Sequence, residues 1–325
     1  MTTHVLILLT LPEKIRLQYS SGIRERFPEL QIDVVDHVAK VDPYIASTDV
    51  LITFGPQLGE QADAVFAAAR NLKWVQALGT GVDNIADRPT LGPDVLLTSV
   101  RGIHGAPVSE AALMAMLALA RDFPRIVKSQ EQHAWDRWPA RLLSGKTVGI
   151  FGVGVIAEAL APRCQALGMK VVGISSATRE VAGFDQMRHS DELRDAVRDL
   201  DHLVLLTPYT ARSHHVINAD ILAAMKPSAY LINLARGGVV DEQALIQALN
   251  EGRIAGAALD VFSQEPLLQE SPFWAMKNVI VTPHFGGFYD QYAHDALPVI
   301  LENMRCFLTG DSGKMINLVT RKQEN

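Results

Sequence analysis

Only two of the 325 residues are cysteine, Cys164 and Cys306. A small secreted scaffold stapled by disulfides needs more, so that class is excluded and both thiols read as buried and idle. An excess of positive charge is also missing: 30 Lys and Arg stand against 36 Asp and Glu, a net charge of −6. Such a chain has no general attraction for nucleic acid or an anionic membrane, although a local basic pocket for a small anion is still allowed. The most apolar helical stretch, Ala111 to Ala120, is about half the length needed to cross a bilayer. The start, Met1 to Leu9, has a short apolar run with no basic region before it. It reads as a first strand rather than a signal peptide, and a cytoplasmic protein is expected. No repeat at solenoid periods, no low-complexity stretch and no metal-binding motif is visible, so no metal site is expected.

What is present is globular. Hydrophobic residues make up 48% and charged residues 20%, and the length suggests two domains of about 150 residues. In the first hundred residues, His4–Leu9, Ile32–Val35, Val50–Phe54, Trp74–Leu78 and Val95–Thr98 are short apolar, β-branched runs, with helical segments such as Glu13–Phe27 and Leu58–Arg70 between them. Alternating strands and helices imply a parallel sheet covered on both faces. Five strands suggest a compact flavodoxin-like domain.

Pro107 then opens a helix to about Arg121, Pro being suited to a first helical turn. From Ala111 to Ala120 that helix is apolar on every side, so it should be buried all round, preferably against a second subunit. A second series, Thr147–Phe151, Lys170–Ile174, His202–Leu206, Tyr230–Leu234, Ala255–Leu259 and Val279–Thr282, alternates with helical stretches Ile156–Leu167, Ser190–Asp199 and Asp241–Asn250. Six strands with crossover helices match a complete doubly wound dinucleotide fold. A last helix after residue 290 returns to the first domain. The expected class is therefore α/β with two doubly wound parallel-sheet domains. Residues 1–100 plus 291–325 form a smaller flavodoxin-like substrate domain, and 101–290 form a Rossmann dinucleotide-binding domain. Two crossings make a hinge, and a cleft between the domains is the expected ligand site.

Gly152-Val153-Gly154-Val155-Ile156-Ala157 follows a strand and opens a helix, the G-x-G-x-x-G/A pattern in its required setting. Gly152 permits the turn, Gly154 lets a diphosphate approach the backbone, and exposed N–H groups with the helix dipole hold it. The second strand of such a fold normally ends in an acid that binds the adenosine ribose of NAD. Here that position is Ser175, followed by Ser176 and, three residues on, Arg179. Hydroxyls and a guanidinium can bind a 2′-phosphate, so NADP is expected in preference to NAD.

Three polar groups follow late strands: Arg236 in Asn233–Gly238, Glu265 in Asp260–Pro266, and His284 in Thr282–Gly287. With the Gly-x-Gly turn, Leu206-Thr207-Pro208, Val240-Asp241, Ala258–Phe262 and Leu78–Asn84, these motifs run in order along residues 72–292. In them the chain resembles the D-isomer-specific 2-hydroxyacid dehydrogenase family, with glyoxylate and hydroxypyruvate reductases as the nearest type. Residues 1–70 resemble it only in strand–helix pattern. Val155 and Ala157 depart from the family's usual polar residue and third glycine.

The resemblance implies hydride transfer between NAD(P)H and a small 2-keto or 2-hydroxy acid. His284 would supply the carbonyl proton. Glu265 would accept a hydrogen bond from the other imidazole nitrogen and favour the charged ring. Arg236 would grip the substrate carboxylate and polarise the carbonyl. Backbone N–H groups of Leu78, Gly79 and Thr80 would hold the same carboxylate. Asp260 would bind the nicotinamide carboxamide, and Val153, Val155, Ile156, Thr207, Pro208, Ala235, Arg236, His284 and Gly286 would make further cofactor contacts. Arg101, Gly102, Ile103 and His104 are expected to line the pocket wall; His104 otherwise stands among several histidines without a motif. A homodimer is expected. A dehydrogenase for a bulkier keto acid is the nearest rival. A dinucleotide-sensing corepressor of the same fold is the non-enzymatic rival, disfavoured by the lack of a long polar tail or basic patch. A catalytically idle homologue is a third rival, and Glu265, where formate oxidation uses Gln, argues against that reaction.

Overall fold

The computed structural model of the chain describes residues 2–177 and 179–321. Two compact units emerge, one from residues up to Ile103 together with those from Asp290 onward, the other His104–Tyr289.

The first unit is built on five parallel strands, β1 His4–Leu8, β2 Gln31–Val35, β3 Val50–Thr53, β4 Trp74–Ala77 and β5 Leu96–Thr98, in the order β2-β1-β3-β4-β5. This is the flavodoxin-like order. The central strands β1, β3 and β4 are buried throughout, because a parallel sheet with helices on both faces leaves no solvated side. The helix Tyr292–Thr309 belongs to this unit. Its Asn303 amide donates to Gln76 Oε1 at 3.0 Å, and beyond it Val319 N–H donates to Leu97 O at 2.8 Å. The expected helix Leu58–Arg70 is broken. Gly59, at φ +52, ends a single α-turn at Gly55–Leu58, a 3-10 turn follows at Gly59–Gln61, and α-helix resumes at Ala62–Ala68.

The second unit carries seven parallel strands rather than six: β6 Thr147–Phe151, β7 Lys170–Ser175, β8 Gln186–His189, β9 His202–Leu205, β10 Tyr230–Asn233, β11 Gly256–Leu259 and β12 Val279–Val281. Their order is β12-β11-β10-β9-β6-β7-β8. The unforeseen strand is β8. It lies at the sheet edge beside β7 alone, and its residues Gln-Met-Arg-His are exposed or half-buried. An edge strand of that composition carries no apolar signal. With it, the order from β8 through β6 and on to β12 is that of a dinucleotide fold with one strand added. The order reverses at β6, which pairs with both β7 and β9.

Other boundaries moved. The helix expected from Pro107 begins at Gly105 and runs to Arg121, with Pro107 in its first turn. It is not buried all round in the single chain. Ala112, Met116 and Leu119 pack inward, while Met114 and Leu117 remain 46% and 44% exposed. The expected helix Ser190–Asp199 is one α-turn, Leu193–Ala196, between two 3-10 turns. Helices Phe123–Glu131 and Ala219–Ala224 were not foreseen. Among the described residues no helix is long and apolar enough to cross a membrane.

Candidate active site

β6 ends at Phe151, and Gly152 turns the chain at φ +100. A Cβ there would lie 2.5 Å from Thr207 N, so the residue after β9 presses against the turn and only glycine fits. At Gly154 a Cβ would meet nothing within 4 Å. Gly154 also precedes helix Val155–Ala166, which has no side-chain cap. Open space in front of uncapped N–H groups fits a dinucleotide diphosphate. Ala157 is fully buried where the helix meets the sheet, as close packing requires. Val153 and Ile156 are half-buried, and Val155 is exposed.

Ser175 closes β7 and its hydroxyl accepts from Ala177 N–H at 3.2 Å. Ser176 is exposed. Arg179 is not waiting unpaired for an anion: its Nη2 donates to Glu158 Oε1 at 2.6 Å. Thr207 is half-buried and Pro208 exposed.

The catalytic candidates all lie in the second unit. β10 ends at Asn233, whose side chain clamps the next turn. Its Oδ1 accepts from Ala235 N–H at 3.0 Å, and its Nδ2 donates to Arg236 O at 3.1 Å. Arg236 Nη1 donates to Ala235 O at 2.7 Å. At Gly237 a Cβ would fall 1.9 Å from Phe262 C, so the loops after β10 and β11 touch backbone to backbone.

Asp260 follows β11 and is buried. Its Oδ1 accepts from Thr282 Oγ1 at 2.6 Å and from Phe285 N–H at 3.0 Å, and its Oδ2 accepts from Gly286 N–H at 2.9 Å. Its own carbonyl accepts from His284 N–H at 2.8 Å. Asp260 thus anchors the loop after β12 and holds His284 at φ +51, a region a side-chain-bearing residue rarely adopts. His284 Nδ1 then lies 2.6 Å from Glu265 Oε2, while Glu265 Oε1 accepts from Phe262 N–H at 3.0 Å. Burial by itself would raise the Glu265 pKa. The hydrogen bond and charge of His284, the Phe262 N–H and the Arg236 charge outweigh it and hold the carboxyl below its ordinary value. Arg236, Glu265 and His284 are therefore brought together, with one imidazole nitrogen committed to a carboxylate and Nε2 left to serve as donor.

Ala235 and Gly286 are buried, and their N–H groups bond the side chains of Asn233 and Asp260. One expected contact needs correction. Leu78, in the other unit, is buried, with its N–H donated to Thr53 O at 2.9 Å and its carbonyl bonded to the Tyr292 hydroxyl. Its amide is not available for a carboxylate, because it still belongs to the sheet ladder. Gly79 and Thr80 lie beyond that ladder, half-buried and exposed.

One residue was undervalued. His104 is buried at the start of helix Gly105–Arg121, and a Cβ on Gly287 would lie 3.0 Å from its Cδ2. Burial first, and then the Arg236 charge, push its pKa down to about 4, so it is a neutral imidazole near Arg236. No local motif signals it, because its neighbours lie more than a hundred positions away in the chain.

Residues 113–286 match the family model described as D-isomer specific 2-hydroxyacid dehydrogenase, NAD binding domain. The D-3-phosphoglycerate dehydrogenase of Methanocaldococcus jannaschii is 33% identical over 264 residues, 80% of this chain; the chain spans only 50% of that relative's length. The glyoxylate reductase of Thermococcus onnurineus is 33% identical over 277 residues, 82% of each chain. Among solved structures, the NADPH-dependent glyoxylate/hydroxypyruvate reductase of Sinorhizobium meliloti, in complex with NADP and sulfate, superimposes with a TM-score of 0.83 at 27% identity, covering 99% of both chains.

Proposed function

Because the chain belongs to the D-isomer specific 2-hydroxyacid dehydrogenase family, and so is an NAD(P)-dependent enzyme acting on a CH–OH group, we propose that it reduces a small 2-keto acid to the 2-hydroxy acid, in the D configuration where the product is chiral. Glyoxylate and hydroxypyruvate are the first candidates. The observation that carries this reading is the 2.6 Å contact between His284 Nδ1 and Glu265 Oε2, with Arg236 acting on the same carboxylate.

A bound reduced nicotinamide supplies the hydride to the carbonyl carbon. His284 Nε2–H gives its proton to the carbonyl oxygen, so that C=O becomes CH–OH, and the ring recovers a proton from solvent. Glu265 accepts from Nδ1–H and fixes the ring's orientation. Arg236 pairs with the substrate carboxylate and draws charge from the carbonyl. Residues 1–100 with 291–325 serve the substrate, and 101–290 the dinucleotide. Asp260 Oδ2 keeps a lone pair for the carboxamide while it anchors the His284 loop.

NADPH is the preferred cofactor in this reading, supported by the absent acid at Ser175 and the nearby Arg179. The S. meliloti reductase, described as NADPH-dependent, supports it too. A homodimer built on helix Gly105–Arg121 is supported by the uncovered Met114 and Leu117. Glyoxylate, hydroxypyruvate and bulkier 2-keto acids, each offered with NADPH, test the reading. Oxidation of the cofactor is expected, fastest on the two small acids, with achiral glycolate formed from glyoxylate and the D-hydroxy acid from each of the others. Preference for a bulky acid would overturn the substrate choice, and no turnover on any of them would sink the proposal.

A further inference from the structure

The expected phosphate ligand, Arg179, already has an anion in hand. Its Nη2 sits 2.6 Å from Glu158 Oε1, and both side chains are open to solvent, at 54% and 42% exposure. Glu158 lies in the first turn of the helix that follows the Gly152–Gly154 turn, and its N–H bonds Gly154 O at 2.9 Å. Arg179 lies just past the end of β7. The pair therefore spans the two segments between which the adenosine ribose of a dinucleotide is held in this fold.

A ribose 2′-phosphate brings about −1.5 to −2 charges at neutral pH. One guanidinium would then face two anionic groups. The phosphate must either displace Glu158 from Arg179 or accept a carboxylate as its neighbour. A free 2′-hydroxyl asks nothing of Arg179 and leaves the ion pair intact. We infer that Glu158 is a cofactor-specificity residue: by occupying Arg179 it weakens binding of the 2′-phosphate and narrows the preference for NADPH over NADH. The inference rests on the reading that Arg179 serves the 2′-phosphate.

Binding of 2′,5′-ADP and of 5′-ADP, measured by calorimetry, tests it without turnover. Glu158→Gln keeps the shape and removes the charge. It should tighten 2′,5′-ADP by roughly fivefold, the scale of one exposed ion pair, and leave 5′-ADP unchanged. The gain should shrink as salt rises, because exposed charges are screened. In an Arg179→Gln background the same change should give much less, since the competed group is gone. Unchanged or weaker 2′,5′-ADP binding in Glu158→Gln, with Arg179→Gln still costing affinity for that ligand alone, overturns the role of Glu158 and leaves the NADPH reading standing. If the unaltered protein binds the two ligands equally and Arg179→Gln changes neither, the NADPH reading falls and this inference with it.

Discussion

His284 is placed by backbone before it is tuned by side chains. Asp260 collects three side-chain hydrogen bonds from the loop 282–286 and fixes the histidine at positive φ, and Glu265 then takes Nδ1. Depression of the Glu265 pKa has a definite sign. The carboxylate is the stabilised form, so its contribution is complete above the ordinary value of 4.5 and is lost as pH falls through the lower folded value. Glu265→Gln keeps a hydrogen-bond acceptor and removes the charge. It should lower kcat by about ten- to a hundredfold, the worth of a hydrogen bond to a charged group, with cofactor affinity little changed. A kcat within twofold of the unaltered enzyme, at about any pH from neutral upward, would contradict the role given to Glu265. The three candidate side chains, Arg236, Glu265 and His284, were legible because each sits in a short motif after a strand. His104 was read as part of the pocket wall but not as a neighbour of Arg236, and the Glu158 partner of Arg179 was not read at all, since both contacts join different segments of the chain.

At the scale of elements, strands written in apolar β-branched residues were readable and the polar edge strand β8 was not. The same sheet holds a buried histidine. His202 opens β9, stacks on Tyr230 at 5.4 Å between centroids, and has no hydrogen-bond partner for Nδ1. Burial, the largest cause, pushes its pKa down to about 4; Lys146 and Arg141 add to this and Asp201 opposes it. The unfolded chain takes up the proton near 6.5 and the folded chain only near 4. Stability is therefore lost as pH falls through that window, by on the order of 3 kcal/mol for such a group. His202→Phe keeps an aromatic ring against Tyr230 and removes the titration. Its melting temperature should fall less steeply between pH 6.5 and 4 than that of the unaltered protein. Equal slopes would show that His202 is not a source of acid sensitivity. Helix ends were less legible than strands, because caps such as Asn218, whose side chain accepts from Asp220 N–H and Ile221 N–H, act only once the chain has turned.

For the whole molecule, two sheets of parallel strands were legible from alternation alone, and the return of helix Tyr292–Thr309 to the first sheet followed from its being too short to stand alone. The helix Gly105–Arg121 was read as buried all round, yet in one chain Met114 and Leu117 face outward, with Phe123 53% exposed just beyond. Sequence reports how apolar a helix is but not which chain covers it. A second copy is the proposed cover. Sedimentation at micromolar concentration should show a dimer, and Leu117→Glu should shift it to monomer; a monomeric unaltered protein would contradict the proposal. The account as a whole depends on His284 as the proton donor, and the most direct test is single-variant turnover. His284→Ala should lower kcat for keto-acid reduction by about a hundred- to ten-thousandfold while NADPH still binds. Turnover that survives the change in a folded, cofactor-binding variant would contradict it.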